Sequence, residues 1–124
     1  MLSLDLSPRP TAGQEARQFL DERLREQLSE DLLADLMVVV TELVNNSVQH
    51  GPDAPIQLRV AITDDGGVHG EVEDQGNDAD IAIRDRSRGL GGGGLGLLIV
   101  DSLTDRWAVS EGSTVVRFEL SVAA

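Results

Sequence analysis

Residues 41–51 read Thr41-Glu42-Leu43-Val44-Asn45-Asn46-Ser47-Val48-Gln49-His50-Gly51. Residues four apart on an α-helix differ by only about 40° around its axis, so Glu42, Asn46 and His50 form one polar stripe. The run from Leu32 through Val44 just before it is apolar on most sides, which predicts a helix buried over most of its surface. Ser29 is placed to cap that helix, Glu30 and Asp31 suit its first turn, and Gly51 followed by Pro52 stops it. A polar line on such a helix needs a reason. It is either the part of the surface left to solvent or a set of groups aimed at something.

The segments on either side supply the partners for this helix. Leu2, Leu4 and Leu6 alternate with Ser3 and Asp5 before Ser7-Pro8-Arg9-Pro10, which predicts a short N-terminal strand or arm, placed at a sheet edge. From Thr11 to about Leu28, Ala12, Ala16, Phe19, Leu20, Leu24 and Leu28 recur at helical spacing. Beyond Pro52, Ile56, Leu58, Val60 and Ile62 alternate with polar residues, and Asp64-Asp65-Gly66-Gly67 turns the chain into Val68 to Glu73, a predicted hairpin. A polar, glycine-rich stretch then extends to Gly94. A third helix follows over Leu95 to Leu103, and Trp107 to Ser110, a turn at Gly112-Ser113 and Thr114 to Val122 close the chain as a second hairpin. Each element has one strongly apolar face, so the expected fold is a two-layer α/β sandwich of three main helices on a mixed, largely antiparallel sheet, in one domain spanning residues 1–124.

Composition narrows the partners. Phe19, Trp107 and Phe118 are the whole aromatic set, so the core must come from Leu, Val, Ile and Ala, and stacking platforms for bases are missing. A formal net charge of -12 and a pI near 4.3 repel a phosphate backbone, which argues against direct nucleic-acid binding. A triphosphate is still acceptable if a divalent cation and backbone N–H groups offset its charge. The chain has no Cys, no apolar run of membrane-spanning length and no basic stretch leading into an apolar one at its start; the expectation is a soluble protein of the cytoplasm, with no membrane partner.

Three features carry chemistry. On the helical stripe, the Asn46 carbonyl oxygen is a hard ligand of the kind Mg²⁺ accepts, and the Glu42 carboxylate is a base or water-orienting group one turn away. The solvent face of an amphipathic helix, with His50 near its C-terminus, would look the same. At the end of a strand, Asp74-Gln75-Gly76 offers a carboxylate that accepts from an exocyclic amine and a glycine that lets backbone approach a flat base; a plain turn is the other reading. The run Arg88-Gly89-Leu90-Gly91-Gly92-Gly93-Gly94-Leu95-Gly96-Leu97 lies just before a helix, where backbone N–H groups can form a concave nest for phosphate oxygens. No Gly-Lys-Ser/Thr follows and no strand leads in, so it is neither a Walker loop nor a dinucleotide fingerprint, while a flexible linker is the remaining alternative.

In this order and on these elements, the three features resemble the histidine-kinase-like ATPase superfamily of topoisomerases, chaperones, sensor kinases and bacterial anti-sigma factors, a fold also called the Bergerat ATP-binding fold. Glu42 to Gly51 is similar to its N box, Asp74-Gln75-Gly76 to its first glycine box, and Gly94-Leu95-Gly96-Leu97 to its second. Ser113 to Phe118 resembles its last strand. The short length and the stretch from Gly96 to Trp107 look most like the anti-sigma-factor type of serine kinase. The resemblance implies ATP or ADP with Mg²⁺ held by Asn46, Glu42 as base, Asp74 and Thr114 on the adenine, and Gly94 and Gly96 under the phosphates. With them His50, Gly76, Gly92, Gly93, Leu95 and Leu97 complete the expected nucleotide-binding set. It further implies a sigma factor and its antagonist as partners, and a homodimer. Asp78 stands where the first glycine box often has a second glycine, and Arg84, Arg86 and Arg88 are the cations of the expected lid at about 76–93. A binding module gated by nucleotide, without kinase activity, fits the same motifs. A sensor-kinase fragment fits less well, since no coiled-coil heptads precede Leu32.

Overall fold

Ser29 caps the central helix as its position predicts. Its hydroxyl accepts a hydrogen bond from the Leu32 N–H at 3.2 Å, and its carbonyl accepts from the Leu33 N–H at 2.9 Å. The structure is a computed structural model that describes residues 1–50, 53–74, 95–109 and 115–121, with the side chains of residues 50 and 95–97 left aside. From the cap, α2 (Glu30–His50) runs through the middle of the molecule, with Leu36, Val39, Val40, Leu43 and Val44 almost fully buried. Loss of such a cap costs about 1 kcal/mol. Ser29→Ala is therefore expected to lower the thermal midpoint by about 4 °C, read by circular dichroism.

α1 (Ala12–Leu24) lies alongside α2 and turns Ala12, Ala16, Leu20 and Leu24 inward. It stops four residues short of the predicted end. The Gln27 and Leu28 N–H groups both donate to the Leu24 carbonyl, forming a turn that lets the chain reverse and reach the Ser29 cap. Leu28 stays buried, but as the anchor of that turn and not as part of the helix face.

The strands are β1 (Leu2–Leu6), β2 (Ile56–Ile62), β3 (Val68–Glu73), β4 (Arg106–Val109) and β5 (Val115–Leu120), with α3 (Leu95–Leu103) preceding β4. They form one open sheet in the order β1-β2-β3-β5-β4. Every pairing among the described residues is antiparallel, so the mixed component expected from sequence is not found in them.

Strand alternation sorts the two faces. Ile56, Leu58, Val60, Val68, Val72, Val116, Phe118 and Leu120 face the helices and are buried. Each such side chain contributes about 1.5–3 kcal/mol on burial. Gly70 leaves room between β3 and β5 for the Phe118 ring directly opposite it. On the other face Arg59, Glu71 and Arg117 sit in register across β2, β3 and β5, with Glu71 3.5 Å from Arg59 and 2.9 Å from Arg117. Arg59 also reaches Glu73 at 3.0 Å, and Arg106 pairs with Glu119 at 3.2 Å. That charged face explains why a single helical layer suffices.

The β2–β3 turn follows the sequence reading. Gly66 takes a φ of 86°, the left-handed region that glycine enters without a Cβ penalty. The Thr63 hydroxyl, then the Gly67 N–H, donate to the Asp65 carboxylate and hold its pKa below the usual carboxylate value. Among the described residues no helix is long and apolar enough to cross a membrane.

Candidate functional site

The tandem Asn45-Asn46 is divided between the two sides of α2. A Cβ built on Gly13 of α1 would lie 2.7 Å from the Asn45 Oδ1 and 3.3 Å from a Thr41 methyl, so both side chains are directed at α1 where glycine leaves space for them. Thr41 is held there twice. Its hydroxyl donates to the Met37 carbonyl at 2.6 Å and accepts from the Arg17 Nη1 at 3.2 Å. One residue further round the helix, Glu42 and Asn46 are turned by about 100° from Thr41 and Asn45, and Glu42 still borders the groove that Arg17 and Thr41 line. Glu42 and Asn46 are half-buried, unlike the exposed Gln49.

Connectivity fixes what surrounds them. Gln57 at the start of β2 pairs with Glu73 at the end of β3, and Glu73 pairs with Val115 at the start of β5. Residues 51–55 join the end of α2 to the start of β2, so the Glu42 to His50 half of α2 is brought to the same end of the sheet as Asp74. Asp74 directly follows β3 and is 3% exposed. The third helix starts toward this end and runs to the far one. Its C-terminus leads into Arg106, which pairs with Glu119 at the other end of β5, and the Asp105 N–H donates to the Glu119 carbonyl at 2.9 Å. A helix of nine residues reaches back about 13 Å, so the first turn of α3 lies toward the Asp74 end. α3 packs on α2, with Val100 fully buried between them and the sheet.

The structure thus gathers Glu42, Asn46, Asp74 and the start of α3, formed by Leu95, Gly96 and Leu97, around one end of the sheet. His50 is the last residue of α2. Gly76, Gly92, Gly93, Gly94 and Thr114 lie outside the described residues, as do Asp78, Arg84, Arg86, Arg88 and the whole expected lid. Thr114 immediately precedes Val115, whose partner is Glu73.

The fit of a metal can be judged from the donors. Among the described residues no group of three His, Asp or Glu side chains is arranged to hold an ion. Mg²⁺ is commonly held by few protein oxygens together with phosphate oxygens and waters, and the Asn46 amide oxygen is a donor of that kind.

Sequence reasoning did not pick out Arg17, Thr41 or Asn45. The signal was present: Thr41 and Asn45 are themselves four apart, and Gly13 interrupts the larger residues of the facing helix. A groove between α1 and α2, lined by Arg17, Ala34, Met37, Val38, Thr41 and Glu42, borders the site on this side.

An open antiparallel sheet covered on one face by three described helices, with its polar groups gathered at one end, matches a GHKL-type fold. The chain belongs to the family described as the histidine kinase-like ATPase domain, which it matches over residues 6–120. Among solved structures it is similar to that of the RsbU and RsbW domains of Rv1364c from Mycobacterium tuberculosis, with a TM-score of 0.67 and 23% identity. The superposition covers 97% of this chain and 32% of that one, and at this identity the likeness is one of fold. No curated protein matches the sequence.

Proposed function

We propose that the chain is a regulatory ATP-binding domain whose nucleotide occupies the sheet end bounded by α2, the end of β3 and the start of α3, and that it phosphorylates a Ser or Thr hydroxyl on a partner protein. One observation supports the reading: connectivity and register turn nearly inaccessible Asp74, the first turn of α3 and the second half of α2, which carries half-buried Glu42 and Asn46, toward the same end of the sheet. Asp74 accepts a hydrogen bond from the adenine amine. The N-terminus of α3 faces the phosphates, where its free N–H groups and dipole favour negative charge. Asn46 offers its carbonyl oxygen to Mg²⁺, and the ion, when bound, neutralises phosphate charge.

Glu42 then acts as the base. Its carboxylate takes the proton of the acceptor hydroxyl as that oxygen bonds to the γ-phosphorus, and the bond from phosphorus to the bridging β–γ oxygen breaks to release ADP. Positioning and electrostatics account for most of such a transfer, so a small domain suffices. By likeness to anti-sigma-factor kinases, the acceptor is an antagonist protein, the alternative partner a sigma factor, and the working unit a homodimer in the cytoplasm.

The test is incubation of the chain with γ-labelled ATP, Mg²⁺ and candidate partners. Label is expected to pass to the partner with the wild-type chain and to fall at least about a hundredfold with Glu42→Ala, the loss of a general base being worth 10²–10⁴ in rate. Complex formation that depends on ATP but survives Glu42→Ala, with no label transferred by the wild type, would replace the kinase with a nucleotide-gated binding module.

A further inference from the structure

α3 is short and lightly anchored for a helix whose first turn is asked to face phosphates. Over its nine residues only Val100 is fully buried among those whose side chains are described, Leu103 is partly packed on the core, and Leu98 is 48% exposed. What holds it at its other end is therefore important. There the Trp107 indole Nε1 donates to the Asp101 Oδ1 at 2.9 Å, a bond between the last turn of α3 and strand β4. Trp107 is the chain's one tryptophan; it pairs across the strands with Phe118 and packs partly against the core.

Asp101 is a poor choice on helical grounds. A carboxylate in the last turn faces the negative end of the helix dipole, and α3 has no basic residue there to offset it. The indole N–H is the partner the structure gives it. From the sheet, the connection runs Phe118 to Trp107 to Asp101 and so along α3 to its first turn.

We propose that Trp107 and Asp101 form a tether that sets the axial position of α3 and thereby tunes nucleotide affinity, with Asp101 as a positioning residue that does not touch the nucleotide. The proposal rests on the ATP-binding reading above. In the tethered state the helix N-terminus is held at a fixed distance from the sheet end that carries Asp74. Without the tether the helix is free to slide or tilt, and its N–H groups meet the phosphates less well.

Mg-ATP affinity and thermal midpoint are measured on the whole chain for the wild type, Asp101→Ala, Asp101→Asn, Trp107→Phe and the Asp101→Ala/Trp107→Phe double variant. Loss of one net hydrogen bond predicts that Asp101→Ala and Trp107→Phe each weaken binding about three- to tenfold. The double variant should be no weaker than either single one, because the same bond is removed. Asp101→Asn keeps an acceptor oxygen for the indole and should bind as the wild type does. Removing the carboxylate also relieves the clash with the dipole, so Asp101→Ala should lose affinity without losing thermal stability, which a merely structural role would not give. Wild-type affinity in Asp101→Ala, or additive losses in the double variant, would overturn the tether while leaving the nucleotide reading intact. A wild-type chain that binds no Mg-ATP would overturn that reading and the tether with it.

Discussion

Asp74→Asn is expected to weaken Mg-ATP binding about ten- to a hundredfold and to narrow the preference of the site for ATP over GTP. A hydrogen bond to a charged group is worth about 1.5–3 kcal/mol, which converts to that range. In the proposed site the carboxylate accepts from the amine at the 6-position of adenine, where guanine carries an oxygen and would place two acceptors face to face. A nearly inaccessible Asp, at 3% exposure, has little water to make good such a mismatch. Asn presents a weaker acceptor and, after rotation of its amide, a donor that guanine can use. Competition between the two nucleotides for the wild type and the variant measures both effects. The melting midpoint without nucleotide serves as the control for folding. An unchanged ATP affinity in a folded Asp74→Asn variant would remove Asp74 from the base pocket.

The largest stability loss is expected at Gly70. A Cβ added there would lie 2.2–2.8 Å from three atoms of the Phe118 ring, distances that no packed core tolerates. Phe118 is 1% exposed and lies among the buried side chains of the core, so the ring has no empty space to move into. Gly70→Ala should therefore cost about 3 kcal/mol, at the upper end of the usual range for overpacking. For a chain of this size that lowers the thermal midpoint by about 10 °C. Pairing Gly70→Ala with Phe118→Leu should recover part of the loss, because the smaller side chain gives up the space the methyl group needs. A Gly70→Ala variant that melts within 2 °C of the wild type would show that β3 and β5 are not packed as described.

The fold was legible because its signals are local. The alternation of Ile56, Leu58 and Val60 with polar residues, the turn at Gly66 and the Ser29 cap each depend on neighbours in sequence, and each has the expected structure. The end of α1 was less legible. Leu28 fits the helical spacing, but the reversal into the Ser29 cap required the chain to leave the helix at Leu24, and that demand comes from tertiary connection. The division of Asn45 from Asn46 was legible only in part. Spacing placed Asn46 on a line with Glu42, but what occupies Asn45 depends on Gly13 of a different helix. The Arg17 to Thr41 bond and the Trp107 to Asp101 bond have the same character, since both join elements whose relative placement no local pattern encodes. The charged ladder of Arg59, Glu71 and Arg117 lay in plain view as the polar half of the strand alternation, yet its register came only with the strand order.

In the proposed site, nucleotide sits at the sheet end shared by α2, β3 and α3. A crystal of the chain grown with ADP and Mg²⁺ would locate it. The expected density is adenine against the Asp74 carboxylate, a metal ion beside the Asn46 carbonyl oxygen and phosphates before the first turn of α3. Nucleotide seated instead in the groove between α1 and α2, or a folded chain that takes up no nucleotide at millimolar ADP and Mg²⁺, would contradict it.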